Sequence, residues 1–93
     1  MLNYTEFTAP YTGYLWVSVK SGSTQASSQV NIYNSEKNVY IYEGKSSLDV
    51  NSRITSPLIP LIQNAKVKIY ASALNSSNQH VSTAYIGVMF SIS

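Results

Sequence analysis

The chain has no cysteine, one histidine, three prolines, four glycines and few charges, six basic and four acidic, in 93 residues. Each shortage excludes something. Without cysteine there is no disulfide framework, and with His80 as the sole histidine one chain cannot assemble the nitrogen and sulphur ligands of a zinc site. A metal held on a three-fold axis by His80 from each of three copies is the arrangement left, and a solvated loop histidine is the simpler reading. The formal charge of +2 is spread along the chain, so the basic stripe that phosphate backbones require is missing. Lys66 and Lys68 share a strand face, but two lysines do not make a nucleic-acid site. No apolar run reaches the length of a membrane span, and residues 1–20 lack the basic start and apolar middle of a signal peptide. The expectation is therefore no nucleic acid and no membrane insertion.

The supply of catalytic groups is equally short. An enzyme needs a nucleophile with its base, paired carboxylates or a metal, gathered in a pocket. Glu6, Glu36, Glu43 and Asp49 fall at strand ends and in a hairpin, and nothing in their spacing groups two of them as a glycosidase pair. There is no phosphate-binding loop, dinucleotide fingerprint or nucleophile elbow. The chain reads as non-catalytic, with no cofactor and no metal.

What is present is apolar and polar without charge. Apolar residues make up 44% of the chain and aromatics 12%, eight of them tyrosine, which argues against disorder. The length suits one domain over 1–93, because a second would lack an interior. Ser, Thr, Asn and Gln account for 34 of the 93 residues, so solubility comes from hydroxyls and amides. Such a surface suits uncharged partners such as glycans, and also suits a virion or secreted surface that must stay inert.

Alternation with period two recurs along the chain with no sustained helical period, which predicts an all-β, antiparallel two-sheet sandwich of about seven to eight strands. Leu15, Val17 and Val19 point one way, and Tyr14, Trp16, Ser18 and Lys20 the other. Val30 and Ile32, then Val39 and Ile41, are the inward positions of two strands joined by the polar turn 34–38. Leu48, Val50 and Ile54 continue the set on a weaker strand. Val67, Ile69 and Ala71 alternate with Lys66, Lys68 and Tyr70. Ala84, Ile86, Val88, Phe90 and Ile92 form the longest and most regular run, expected at the centre of its sheet. A terminal strand is expected over 2–7. Pro57 and Pro60 hold 56–63 out of a regular ladder, since proline cannot donate, and Leu58, Ile59, Leu61 and Ile62 read as a plug closing one end of the core.

With the core so supplied, Tyr14, Trp16, Tyr33, Tyr40, Tyr42, Tyr70, Tyr85 and Met89 fall on the opposite faces of their strands. Aromatic enrichment with charge depletion marks the centre of a subunit interface, and these eight are the candidate contact between copies. Scattered shielding tyrosines and a stacking platform for sugars are the other two readings. Strand direction sends loops 21–28, 44–47 and 74–81 to one end and 35–38 and 55–64 to the other. The first end gathers Ser23, Thr24, Gln25, Asn75, Asn78, Gln79 and His80, the candidate contacts for a glycan or protein receptor. The bland alternative is that surface loops are simply polar.

The order of motifs adds a resemblance. Phe7-Thr8-Ala9-Pro10-Tyr11-Thr12-Gly13-Tyr14-Leu15 resembles the opening of head domains of the complement-head and tumour-necrosis-factor type, found also at phage tail-fibre tips and on related virion appendages. Ser56-Pro57-Leu58-Ile59-Pro60 running on to Val67-Lys68-Ile69 is similar to a later stretch of the phage versions, with Asn64-Ala65 where that pattern has Gly-Asp. Ala84-Tyr85-Ile86-Gly87-Val88-Met89-Phe90 is similar to their closing strand. The resemblance implies a jelly-roll-like sandwich, a homotrimer, a position at the virion surface of a phage particle and binding of a host-surface glycan or protein receptor. A monomeric carbohydrate-binding or adhesin module in an extracellular setting is the alternative.

Overall fold

The computed structural model describes residues 4–92. Nine strands and no helix form among them: β1 (Thr5–Thr8), β2 (Gly13–Ser21), β3 (Ser27–Asn34), β4 (Val39–Lys45), β5 (Arg53–Thr55), β6 (Ile59–Leu61), β7 (Lys66–Leu74), β8 (His80–Val81) and β9 (Thr83–Ser91). The expected strand at 2–7 is β1, and Leu2 lies outside the described residues. One sheet runs β1-β7-β3-β4, with β8 on the upper part of β7; the other has β2 between β9 and the pair β5 and β6. All pairings are antiparallel. The fold is thus the two-sheet antiparallel sandwich that the alternation predicts, and the strand order refines its wrapping. The terminal strands, which a jelly roll brings together, occupy edges of opposite sheets, and the central pairs β2 with β5/β6 and β3 with β7 interlock.

The core is where the inner faces meet. Leu15, Val17, Val19, Val30, Ile32 and Val67 are fully buried, with Ile59, Leu61 and Ile69 nearly so. Each such side chain contributes about 1.5–3 kcal/mol relative to exposure. Phe7, Tyr11 and Phe90 close one end of this interior, Phe90 lying 5.2 Å from Phe7 and 5.1 Å from Tyr11 between ring centroids.

Several sequence expectations are corrected. Tyr42 faces inward and packs against the core, because Ile41 is an extra residue in β4: Ile32 pairs with Tyr42 and Tyr33 with Tyr40. A bulge of this kind inverts the alternation. It separates the two tyrosines onto opposite faces and leaves Ile41 exposed. Val39 is also exposed, at the hairpin end of its strand, and Leu48 and Val50 are exposed in the connection 46–52, where no weaker strand forms. Residues 53–61 do not form a simple end loop; they run back along β2 as two short strands around Ser56-Pro57. Ile59 and Leu61 plug the core as expected, whereas Leu58 and Ile62 face solvent at 58% and 72% exposure.

The largest correction concerns β9. Among the described residues it pairs with β2 alone and is an edge strand, not a central one. Its inner residues lie in register with the core of β2, Ile86 opposite Val19 and Val88 opposite Val17. The facing sheet does not cover them: Ile86 is 47% and Val88 42% exposed.

Candidate functional site

Three surfaces carry the residues singled out above. The first is the loop end. Ser27 pairs with Leu74 and Gln29 with Lys45, so connections 22–26, 46–52 and 75–79 leave the sandwich together, as strand direction predicts. Ser23, Thr24 and Gln25 are exposed on the first, and Asn78, Gln79 and His80 on or beside the third; Asn75 is half-buried.

These loops are tied down. Asn75 Oδ1 accepts from the backbone N–H of Ser77 (2.9 Å) and of Gln79 (3.0 Å), an Asx turn closed further by the Asn75 N–H donating to the Gln79 carbonyl. Asn75 therefore works as a turn residue, while Gln79 and His80 project from the frame it sets. Below the other two connections lies a buried serine cluster. Ser52 Oγ lies 2.7 Å from the Ala26 carbonyl, 2.9 Å from Ser21 Oγ and 3.1 Å from Ser28 Oγ. Ser28 Oγ also donates to the Ser52 carbonyl at 2.9 Å. Connection 46–52 is thereby pinned to the end of β2 and the start of β3.

The second surface is the outer face of the β1-β7-β3-β4 sheet. Tyr33 and Tyr40 pack edge to face at 5.0 Å between centroids, Tyr40 lies 6.5 Å from Tyr70, and Tyr70 lies 5.5 Å from Tyr4. Lys68 Nζ sits 4.8 Å from the centre of the Tyr4 ring. The row is exposed at Tyr4 and Tyr40 and half-buried at Tyr33 and Tyr70. Its rings are tilted against one another by 52–68°, so it forms a ridged strip instead of one flat platform. Sequence reasoning missed Tyr4, although its spacing from Glu6 and Thr8 puts it on the outward face.

The third surface is the outer face of β2 and β9, where Trp16 stands opposite Met89 and Tyr85 opposite Lys20. Tyr14 shares this face by alternation. Tyr85 lies over Gly87, where an added Cβ would meet its ring, and Arg53 approaches that ring at 5.8 Å. Seven of the eight proposed contact residues thus divide between two opposite faces, and Tyr42 packs inside; they do not form one patch.

Two open clefts lie among the described residues. A cleft of about 190 Å³ opens between the sheets beside β9, lined by Tyr4, Thr5, Ile69, Ala71, Ile86 and Val88. A second, of about 300 Å³, lies at the opposite end beside Glu36, Lys37 and Ile62. The acids sit on separate elements: Glu6 on β1 and Glu43 on β4, the two edges of one sheet, Glu36 in the hairpin turn and Asp49 in connection 46–52. Among the described residues no three metal-binding side chains cluster. No protein-family model, curated protein or solved structure matches the chain, so the head-domain resemblance rests on its short motifs.

Proposed function

We propose that this chain is a non-catalytic attachment module of the fibre-tip kind, exposed on a virion appendage, which associates with itself and meets a host-surface glycan or protein through its loop end. In the head domains that its motifs resemble, three copies associate. The observation that carries the reading is the convergence of connections 22–26 and 75–79 on one hydrogen-bonded end, where Asp49 of connection 46–52 is the single charged side chain of the three loops. An Asx turn and a buried serine cluster hold that end in a single arrangement, and preorganised loops lose less entropy on binding. Gln25, Gln79 and His80 then offer donors and acceptors to a neutral partner.

The test is binding of the labelled protein to a panel of bacterial surfaces and glycans. Replacing Gln25, Gln79 and His80 together by alanine is expected to weaken binding at least ~10-fold with an unchanged thermal midpoint, the scale of two or three lost neutral hydrogen bonds. The tyrosine row favours a second reading, a monomeric carbohydrate-binding module. Under it the triple variant binds normally, and Tyr40→Ala or Tyr70→Ala abolishes binding.

A further inference from the structure

We propose that β9 is a self-pairing edge: residues 85–89 of one copy form an antiparallel ladder with the same residues of a second copy, about a two-fold axis at Gly87. This rests on the self-association in the reading above and specifies its geometry. An unprotected edge strand presents a row of backbone donors and acceptors that invites another strand, and proteins blunt such edges with charge, proline, bulges or shortness. Every other sheet edge among the described residues is blunted. β1 is four residues long and carries Glu6, β4 has Glu43, Lys45 and the bulge at Ile41, β5 has Arg53, β6 is three residues with Pro60, and β8 is two residues. By contrast β9 is nine residues, TAYIGVMFS, without a charge or a proline; its one irregularity, the extra residue Ala84, lies before the segment 85–89, and its register with β2 is regular from Tyr85 to Ser91.

The occupant is a second copy because the strand matches itself. A two-fold axis sets each residue of β9 against another from the same strand, so any charge near the axis would lie close to its own copy; like charges across a ladder destabilise it, and β9 has none. Centred on Gly87, the pairing places Ile86 opposite Val88 of the second copy, and Val88 opposite its Ile86. These are the aliphatic side chains that the facing sheet leaves uncovered, at 47% and 42% exposure. On the other face Tyr85 meets Met89 of the second copy, a sulphur–aromatic contact. The assembly closes on itself: each copy uses its one unblunted edge, so the product is a dimer and no further strand adds. It also sets the two clefts beside β9 next to each other across the axis, extending the apolar contact beyond the ladder.

Sedimentation equilibrium of the full chain is expected to give twice the 10.3 kDa protomer mass at micromolar concentration. Val88→Lys, which sets a lysine against the edge, is expected to weaken the dimer at least ~100-fold with unchanged circular dichroism. Cross-linking keeps the idea testable if that variant fails to fold. Since the chain contains no cysteine, oxidation of the I86C/V88C variant should give a disulfide-linked dimer, and an I41C/E43C pair on β4 should not. A trimer without the β9 cross-link would overturn the pairing and leave the attachment reading standing. A monomer at every concentration would overturn both the pairing and self-association, and the binding panel would still decide attachment on its own.

Discussion

Asn38, Asn51, Asn64 and Asn78 adopt positive φ angles of 55, 51, 71 and 58°, while none of the four glycines does. Left-handed backbone normally calls for glycine, and asparagine is the side chain that best tolerates it. The scarcity of glycine in a chain with this many turns is thus made good by asparagine, and Asn64 supplies the conformation at the position where the resembling pattern has glycine. Asn64→Ala is expected to lose about 1 kcal/mol, because alanine keeps the Cβ that the left-handed region penalises and lacks the short polar side chain whose local hydrogen bonding offsets it, whereas Asn64→Gly should stay within about 0.5 kcal/mol; urea midpoints would compare them. The glycines serve close approach instead. At Gly13 an added Cβ would meet the Ser91 carbonyl of the adjoining backbone, and at Gly87 it would meet the Tyr85 ring. Backbone in a ladder cannot yield, but a ring can swing aside. Gly13→Ala should therefore cost about 1–3 kcal/mol as overpacking and Gly87→Ala less, the latter with a shift in tyrosine fluorescence; equal losses would contradict this account.

β5 and β6 behave as one broken strand, and Ser56 repairs the break. Its N–H donates to the Val17 carbonyl at 2.8 Å and its Oγ accepts from the Val17 N–H at 2.9 Å, so the fully buried Val17 keeps both backbone bonds beside Pro57. Connection 46–52 depends in the same way on Ser52, whose N–H also donates to Ser21 Oγ at 2.8 Å. Ser52→Ala removes one partner each from the buried Ser21 and Ser28 hydroxyls and the Ala26 carbonyl, which keep the Ser52 N–H, the Ser52 carbonyl and the Asp49 N–H respectively, so the change should cost about 0.5–1.5 kcal/mol. The loss should appear locally, as faster amide exchange at Ala26 and Asn51, whose N–H groups bond within this region; uniform acceleration would point to global destabilisation. These elements mark the limit of what the chain discloses before it folds. Period two identified β2, β3, β7 and β9 and the inward sets of the first three, because alternation against one core is a local pattern. The bulge at Ile41 left no such mark, since the apolar run Val39-Tyr40-Ile41-Tyr42 fits either parity. The edge position of β9 was illegible for another reason: regular alternation reports which residues share a face, while the width of the opposing sheet decides whether that face is covered. Of the surface, the loop end could be derived from strand direction alone, whereas the division of the aromatics between two faces required the sheet order.

The whole molecule exposes 5480 Å², against about 5,400 Å² expected for a folded monomer of its mass. The total is therefore that of an ordinary folded monomer; exposed apolar side chains are spread over several elements, and on β9 two of them, Ile86 and Val88, lie side by side on one face. Association then adds little to folding, and the urea midpoint should not vary with protein concentration once copies have separated, as coupled folding and dimerisation would require. Kinetics depend on topology. β2 pairs with β9 across more than half the chain and β3 pairs with β7, and such non-local ladders fold in milliseconds to seconds. Throughout that interval the neutral, aliphatic β9 can meet other chains before it meets β2, the condition under which edge pairing turns to aggregation. Refolding by dilution should thus lose yield as protein concentration rises, and Val88→Lys should restore the yield, because a lysine on β9 discourages pairing between chains while leaving the ladder with β2 in place. Equal losses for the two proteins, measured by light scattering alongside recovered circular dichroism, would assign the aggregation to another segment.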